Sequence, residues 1–111
     1  MKYGYARIST KDQRIDLQLD ALREVGCSKI FNDIAKGARQ DRPELTKLLE
    51  IVEEKDTIVI WKLDRLGRSL HHLVKIVNDL NSKNVGLVSL NDPIDTTTAQ
   101  GRLMFNVFAS L

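Results

Sequence analysis

Ile58-Val59-Ile60-Trp61-Lys62-Leu63-Asp64-Arg65-Leu66-Gly67-Arg68 runs from an unbroken apolar segment straight into a charged one. The apolar part reads as a strand covered on both faces, since a half-exposed strand would alternate. Beyond the charged part, Leu70, Leu73, Val74, Val77 and Leu80 mark a long amphipathic helix. A buried strand feeding a helix is the repeating unit of a parallel α/β sheet. Arg65 and Arg68 share one face if the helix begins there, and Asp64 can orient a guanidinium or cap that helix. An acid beside paired arginine forks at a strand-to-helix turn suits a phosphate-like anion. An ordinary charged helix start accounts for the same residues.

The unit recurs on either side. Lys2 to Ile8 reads as a strand with Tyr3, Tyr5 and Arg7 on one face and Gly4, Ala6 and Ile8 on the other. Ser9 follows on the face of Arg7. Thr10 and Gln13 have capping-box spacing, Ile15, Leu19, Leu22 and Val25 give a helical stripe, and Gly26 ends it. Lys29 to Asp33 is a second strand, followed by a polar loop over 35–40. Asp41 and Glu44 form another capping-box pair with Pro43 in the first turn, and Leu45, Leu48, Leu49 and Val52 keep helical spacing. Arg42 sits at the positive end of that helix, where the macrodipole disfavours a cation; such violations concentrate at functional sites. Val85 to Leu90 is a fourth strand, Asn91-Asp92-Pro93 a turn, and Thr97 with Gln100 caps a last helix.

The expected fold is therefore α/β, an open and mainly parallel sheet of four to five strands with helices on both faces, all in one domain over 1–111. The last helix carries Leu103, Met104, Phe105, Val107, Phe108 and Leu111, more apolar surface than one stripe needs. A second face of that kind is expected to pack on a partner, and no stop signal precedes Leu111, so the natural polypeptide is expected to continue.

With 111 residues, 42% hydrophobic and 29% charged, the chain can bury a core of its own. No apolar run approaches a membrane span, and a single cysteine, Cys27, forbids an internal disulfide, so a reducing cytoplasm is expected. Cys27 reads as a small apolar residue rather than a nucleophile. The net charge of +2 does not by itself point to nucleic acid. Adjacent His71 and His72 face different directions and lack metal-ligand spacing, so no metal site is expected. Phosphate-binding and dinucleotide glycine loops are absent from the sequence.

Ligands of open α/β sheets bind outside the carboxyl ends of the strands. Arg7 and Ser9 end the first strand, Arg42 follows the second, and Asp64, Arg65 and Arg68 follow the third. A hydroxyl among guanidiniums can attack phosphorus without metal, the arginines neutralising charge that develops in the transition state. Asp64 is the nearby carboxylate for the proton. A phosphatase using Ser9, or a non-catalytic anion-binding module, fits these residues too.

Tyr5-Ala6-Arg7-Ile8-Ser9-Thr10 with Gln13, then Asp41-Arg42-Pro43 with Leu45, then Leu63-Asp64-Arg65-Leu66-Gly67-Arg68, and finally Ile94-Asp95-Thr96 with Gly101-Arg102, together resemble the ordered motifs of the serine recombinases, the resolvase/invertase family. The resemblance spans essentially the whole chain. It implies the catalytic domain of a site-specific DNA recombinase that needs no cofactor. Ser9 would be the nucleophile, leaving a 5′-phosphoserine and a free 3′-hydroxyl. Arg7, Arg42, Arg65 and Arg68 would bind phosphate, Asp64 would organise them, and Gln13 and Gln18 would support. Implied partners are a double-stranded recombination site, a homodimer and homotetramer built on the last helix, and an accessory DNA-bending protein. Two departures stand out. Lys36, before Gly37, replaces a small hydroxyl residue, putting a cation where the family has a polar contact. The usual helix-turn-helix domain is missing after Leu111, so this stretch alone is expected to be inactive or nearly so, because phosphate contacts carry no sequence information.

Overall fold

The computed structural model describes residues 1–9, 15–35, 42–67 and 69–110. Ten elements follow one another: β1 (Lys2–Ser9), α1 (Ile15–Glu24), β2 (Lys29–Ala35), α2 (Pro43–Ile51), β3 (Thr57–Ile60), a 3₁₀ turn (Leu63–Arg65), α3 (Leu70–Ser82), β4 (Gly86–Ser89), β5 (Ile94–Asp95) and α4 (Ala99–Ala109). The sheet order is β2-β1-β3-β4-β5. The first four strands are mutually parallel, and β5 pairs antiparallel with β4. The open, mainly parallel sheet expected from the alternation of apolar strands and amphipathic helices is the one observed.

Alternation along β1 divides the core. Tyr5 packs with Phe31, Ile58 and Ile60 against Leu45 and Leu48 of α2 and Leu73, Ile76, Val77 and Leu80 of α3. Ala6 faces the other way with Val59, beneath Leu22 of α1 and its neighbours Leu19 and Val25. Tyr5 and Ala6 are both fully buried, as a central parallel strand requires. Gly26 closes α1 in the left-handed region at φ +88°, the conformation its sequence position predicts.

Local boundaries differ in instructive ways. The second strand runs two residues further than expected, to Ala35, because β1 pairs with it out to Ser9. No helix starts at Asp64. The chain makes the short 3₁₀ turn, and α3 begins at Leu70, where Ser69 Oγ accepts from His72 N at 3.2 Å. Gly67 lies so close to Leu73 that a Cβ there would stand 2.7 Å from the leucine Cβ. The last helix is capped by Thr98 rather than Thr97. Thr97 donates both its amide and its hydroxyl to Asp95, leaving Thr98 Oγ1 to accept from Gly101 N at 3.0 Å. The Thr10–Gln13 capping box and Asp41 lie outside the described residues.

The root of α4 is pressed onto β5. A Cβ on Gly101 would stand 1.9 Å from the Asp95 carbonyl oxygen, and Arg102 Nη1 donates to Thr96 O at 3.0 Å. Phe105 enters the core, whereas Leu103, 62% exposed, and Met104 and Val107 face outward. Among the described residues no helix is long and apolar enough to cross a membrane.

Candidate active site

Parallel pairing of β1 to β4 sends their carboxyl ends to one edge of the sheet. That edge receives Ser9 as the last residue of β1, Arg42 at the start of α2, and Asp64 with Arg65 on the 3₁₀ turn after β3. Arg7 and Asp64 line a single cleft of about 340 Å³, with Leu63, Gly67, Ser69, Leu70 and Leu73 completing its wall. A cation and a carboxylate from segments almost sixty residues apart thus share one concavity.

Arg42 approaches from another side. It is the N-cap residue of α2 yet is only 8% exposed, and its Nη1 donates to the Leu66 carbonyl. This bond ties the start of α2 to the residue immediately after Arg65. The guanidinium is therefore held by backbone at the edge where the 3₁₀ turn lies.

An arginine at an N-cap leaves the first amides of the helix without the usual side-chain acceptor. The acceptor comes from β2. Asp33 is 4% exposed; its Oδ1 accepts from Glu44 N and its Oδ2 from Leu45 N, each at 3.0 Å. Oδ2 also accepts from the Tyr5 hydroxyl at 2.8 Å. The Asp41–Glu44 capping box expected from spacing involves a residue outside the described ones; among the described residues a strand carboxylate accepts from these amides across the fold. Its negative charge at the helix N-terminus is favourable to the macrodipole and offsets the nearby Arg42. Burial first, and then the hydrogen bond and charge of Asp33, push the Tyr5 phenol well above its ordinary range, with Arg42 and Arg7 pulling the other way. Tyr5 accordingly stays a donor.

Asp33 and Tyr5 were given no role at the site from the sequence, although Tyr5 opens the first of the quoted motifs. The signal was available. Asp33 has the strand parity of Phe31, which points into the core, and an acid at an inward position calls for buried partners.

The remaining expected residues fall as follows. Gln18 lies on α1 and is 1% exposed, inside the fold rather than on a surface open to a polymer. The structure places the backbones of Ser9 and Arg65, and their side chains lie outside the described portion, as do Gln13, Lys36 and Arg68 entirely. Cys27 is half-buried, and burial pushes its thiol up, with Lys2 pulling it down. That is the reverse of an activated nucleophile. Among the described residues no cluster of His, Cys, Asp or Glu could hold a metal ion.

Comparison with known proteins places the chain in a family. The family model "Resolvase, N terminal domain" matches residues 2–111. The serine recombinase gin of Escherichia phage Mu is 47% identical over 111 residues, covering all of this chain and 58% of the phage protein. The Tn917 resolvase of Enterococcus faecalis is 43% identical over the same length, all of this chain and 60% of that protein. The chain therefore spans under two thirds of the length of these curated relatives. A resolvase-family site-specific recombinase from Streptococcus pneumoniae superposes with a TM-score of 0.78 at 19% identity, covering 98% of this chain and 83% of that one, which is a likeness of fold.

Proposed function

Because the chain belongs to the family of resolvase N-terminal domains, we propose that it is the catalytic domain of a site-specific DNA recombinase acting by a serine nucleophile. The Ser9 hydroxyl attacks the scissile phosphorus, a new Oγ–P bond forms, and the 3′ oxygen leaves, taking up a proton to become a free 3′-hydroxyl. The 5′ end stays on the protein as a phosphoserine ester, which conserves the bond energy so that religation needs neither metal nor nucleotide. Arg7, Arg42, Arg65 and Arg68 neutralise the phosphate oxygens as charge builds. Asp64 orients these guanidiniums and is a carboxylate of this edge able to take the serine proton. Gln13 and Lys36 support the DNA backbone, and Gln18 acts from within the fold.

The observation that carries the reading is the cleft shared by Arg7 and Asp64, at the sheet edge where β1 ends in Ser9 and to which Arg42 is tied through Leu66. The outward row of Leu103, Met104 and Val107 on α4 suits a second copy of the chain, and pairs of such dimers supply the tetramer in which all four DNA strands are cut. An accessory DNA-bending protein and a cytoplasmic setting complete the reading.

The test uses the full-length protein and a recombination-site duplex nicked to trap the cleaved state. Mass spectrometry is expected to find the nucleotide on Ser9, with no adduct in Ser9→Ala. An adduct on another residue overturns the assignment; phosphate or DNA binding without any adduct favours a non-catalytic module. Products from directly and inversely repeated sites distinguish resolution from inversion.

A further inference from the structure

The 3₁₀ turn that presents Asp64 and Arg65 is three residues long and poorly able to hold itself. A turn so short makes few bonds of its own, and its first amides need an outside acceptor. Lys62, at its N-cap, makes no side-chain cap. The acceptor again arrives from far along the chain: Asp92 Oδ2 accepts from Leu63 N at 2.9 Å. The same oxygen accepts from Ser89 Oγ at 2.7 Å, and Ser89 is a buried residue at the end of β4, so the carboxylate is anchored before it reaches the turn.

Three further bonds run along the same seam. Leu90 N donates to Ile60 O at 2.9 Å, and both Asn91 N and Asn91 Nδ2 donate to Trp61 O at 3.0 Å. The exit of β3 is thereby zipped to the exit of β4 until Leu63, where the Asp92 side chain takes over from backbone. On its other side Asp92 lines a second cleft of about 370 Å³ with Ile94, Gly101 and Met104, at the root of α4.

From this geometry we infer that Asp92 is a positioning residue for the reaction, fixing the Asp64–Arg65 turn against the root of α4 without itself touching DNA. The inference rests on the recombinase reading above. It does not concern binding: Asp92 acts through Leu63 N on where Asp64 and Arg65 stand, so its removal lowers the rate of the chemical step and leaves ground-state DNA affinity in place. Small misplacements of catalytic groups cost as much as about 100-fold in rate.

The experiment compares full-length wild type, Asp92→Ala, Asp92→Asn and Ser89→Ala. Single-turnover cleavage is measured on the nicked duplex at saturating protein, with DNA affinity measured in parallel and amide exchange followed at Leu63. For Asp92→Ala the expected result is a roughly 10- to 100-fold slower adduct formation at Ser9, unchanged affinity, and faster exchange at Leu63 with β3 still protected. Asp92→Asn keeps an oxygen that can accept both bonds and is expected to restore most of the rate. Should Asp92→Ala fail to fold, Ser89→Ala carries the test, since it frees the carboxylate from β4 while leaving Leu63 N its acceptor; slower cleavage at unchanged affinity is expected. Equal rates in wild type, Asp92→Ala and Ser89→Ala overturn the inference while leaving the recombinase reading intact. A loss confined to DNA affinity also overturns it. Wild type that forms no Ser9 adduct overturns the recombinase reading and the inference together.

Discussion

Replacing Asp33 by alanine removes three accepted hydrogen bonds at once, and the structure says how the cost divides. Two bonds come from Glu44 N and Leu45 N, so the substitution deletes the cap of α2, at about 1 kcal/mol. The third comes from the Tyr5 hydroxyl, which is buried and would be left without this acceptor, at about 1–3 kcal/mol. A total near 3 kcal/mol is a large share of the roughly 5–15 kcal/mol by which a domain of this size is stable. The division can be tested because the two parts respond differently to Tyr5→Phe. In that background the stranded hydroxyl no longer exists, so Asp33→Ala should cost only the cap. Urea unfolding of the four proteins of this cycle, followed by circular dichroism and Trp61 fluorescence, is expected to give a coupling energy of about 1–2 kcal/mol. Additive losses, or a cost of Asp33→Ala below about 1 kcal/mol, would refute the account of Asp33 as a shared acceptor.

Gly101→Ala should destabilise the chain by at least about 1–3 kcal/mol, because its Cβ would collide with the Asp95 carbonyl rather than with a movable side chain; thermal unfolding measures it. The Tyr5 phenol has a folded-state pKa raised above its unfolded value of 10.0, so the stability it contributes is complete below pH 10 and is lost as pH rises beyond it. Tyr5→Phe should therefore flatten the alkaline limb of the stability–pH curve, and an unchanged limb would count against the buried hydrogen bond. Glutamate at both Leu103 and Val107 should leave the fold intact and abolish self-association in sedimentation experiments, since both side chains point outward from α4.

What could be read along the chain and what could not differ in range. The stripes Leu45, Leu48, Val52 and Leu73, Val77, Leu80 are local periodicities, and they bury the faces they predict. The alternation of Tyr5 and Ala6 likewise foretold the two sides of the sheet. The anchors of the candidate site escaped because they join distant segments. Asp33 caps a helix 11 residues on, and Asp92 holds a turn 29 residues back. Neither offset is a helix or strand period, so no pattern within a window reveals it. The short strand Ile94–Asp95 has only two residues, too few to show any alternation. At Asp64–Arg68 the charges suggested a helix start, but the cap at Ser69 and the close contact of Gly67 with Leu73 place that start at Leu70. The expectation that Arg7, Ser9, Arg42, Asp64 and Arg65 share one sheet edge rested on parallel strand direction, which the pairing of β1 to β4 bears out, whereas the order of the strands could not be read along the chain.

The order β2-β1-β3-β4-β5 has a consequence for how the chain acquires its shape during synthesis. Of these five strands, β1 emerges first and lies between β2 and β3, and every later one docks on an edge that is free when it emerges. At no stage must a strand be threaded between two that are already paired. The sheet can thus grow by accretion in the order of translation, the steps to β2, β3 and β4 each closing a loop over a helix and the step to β5 only a short turn, and the exit of β4 reaches the Asp64 turn only after both ends of that clasp have been made.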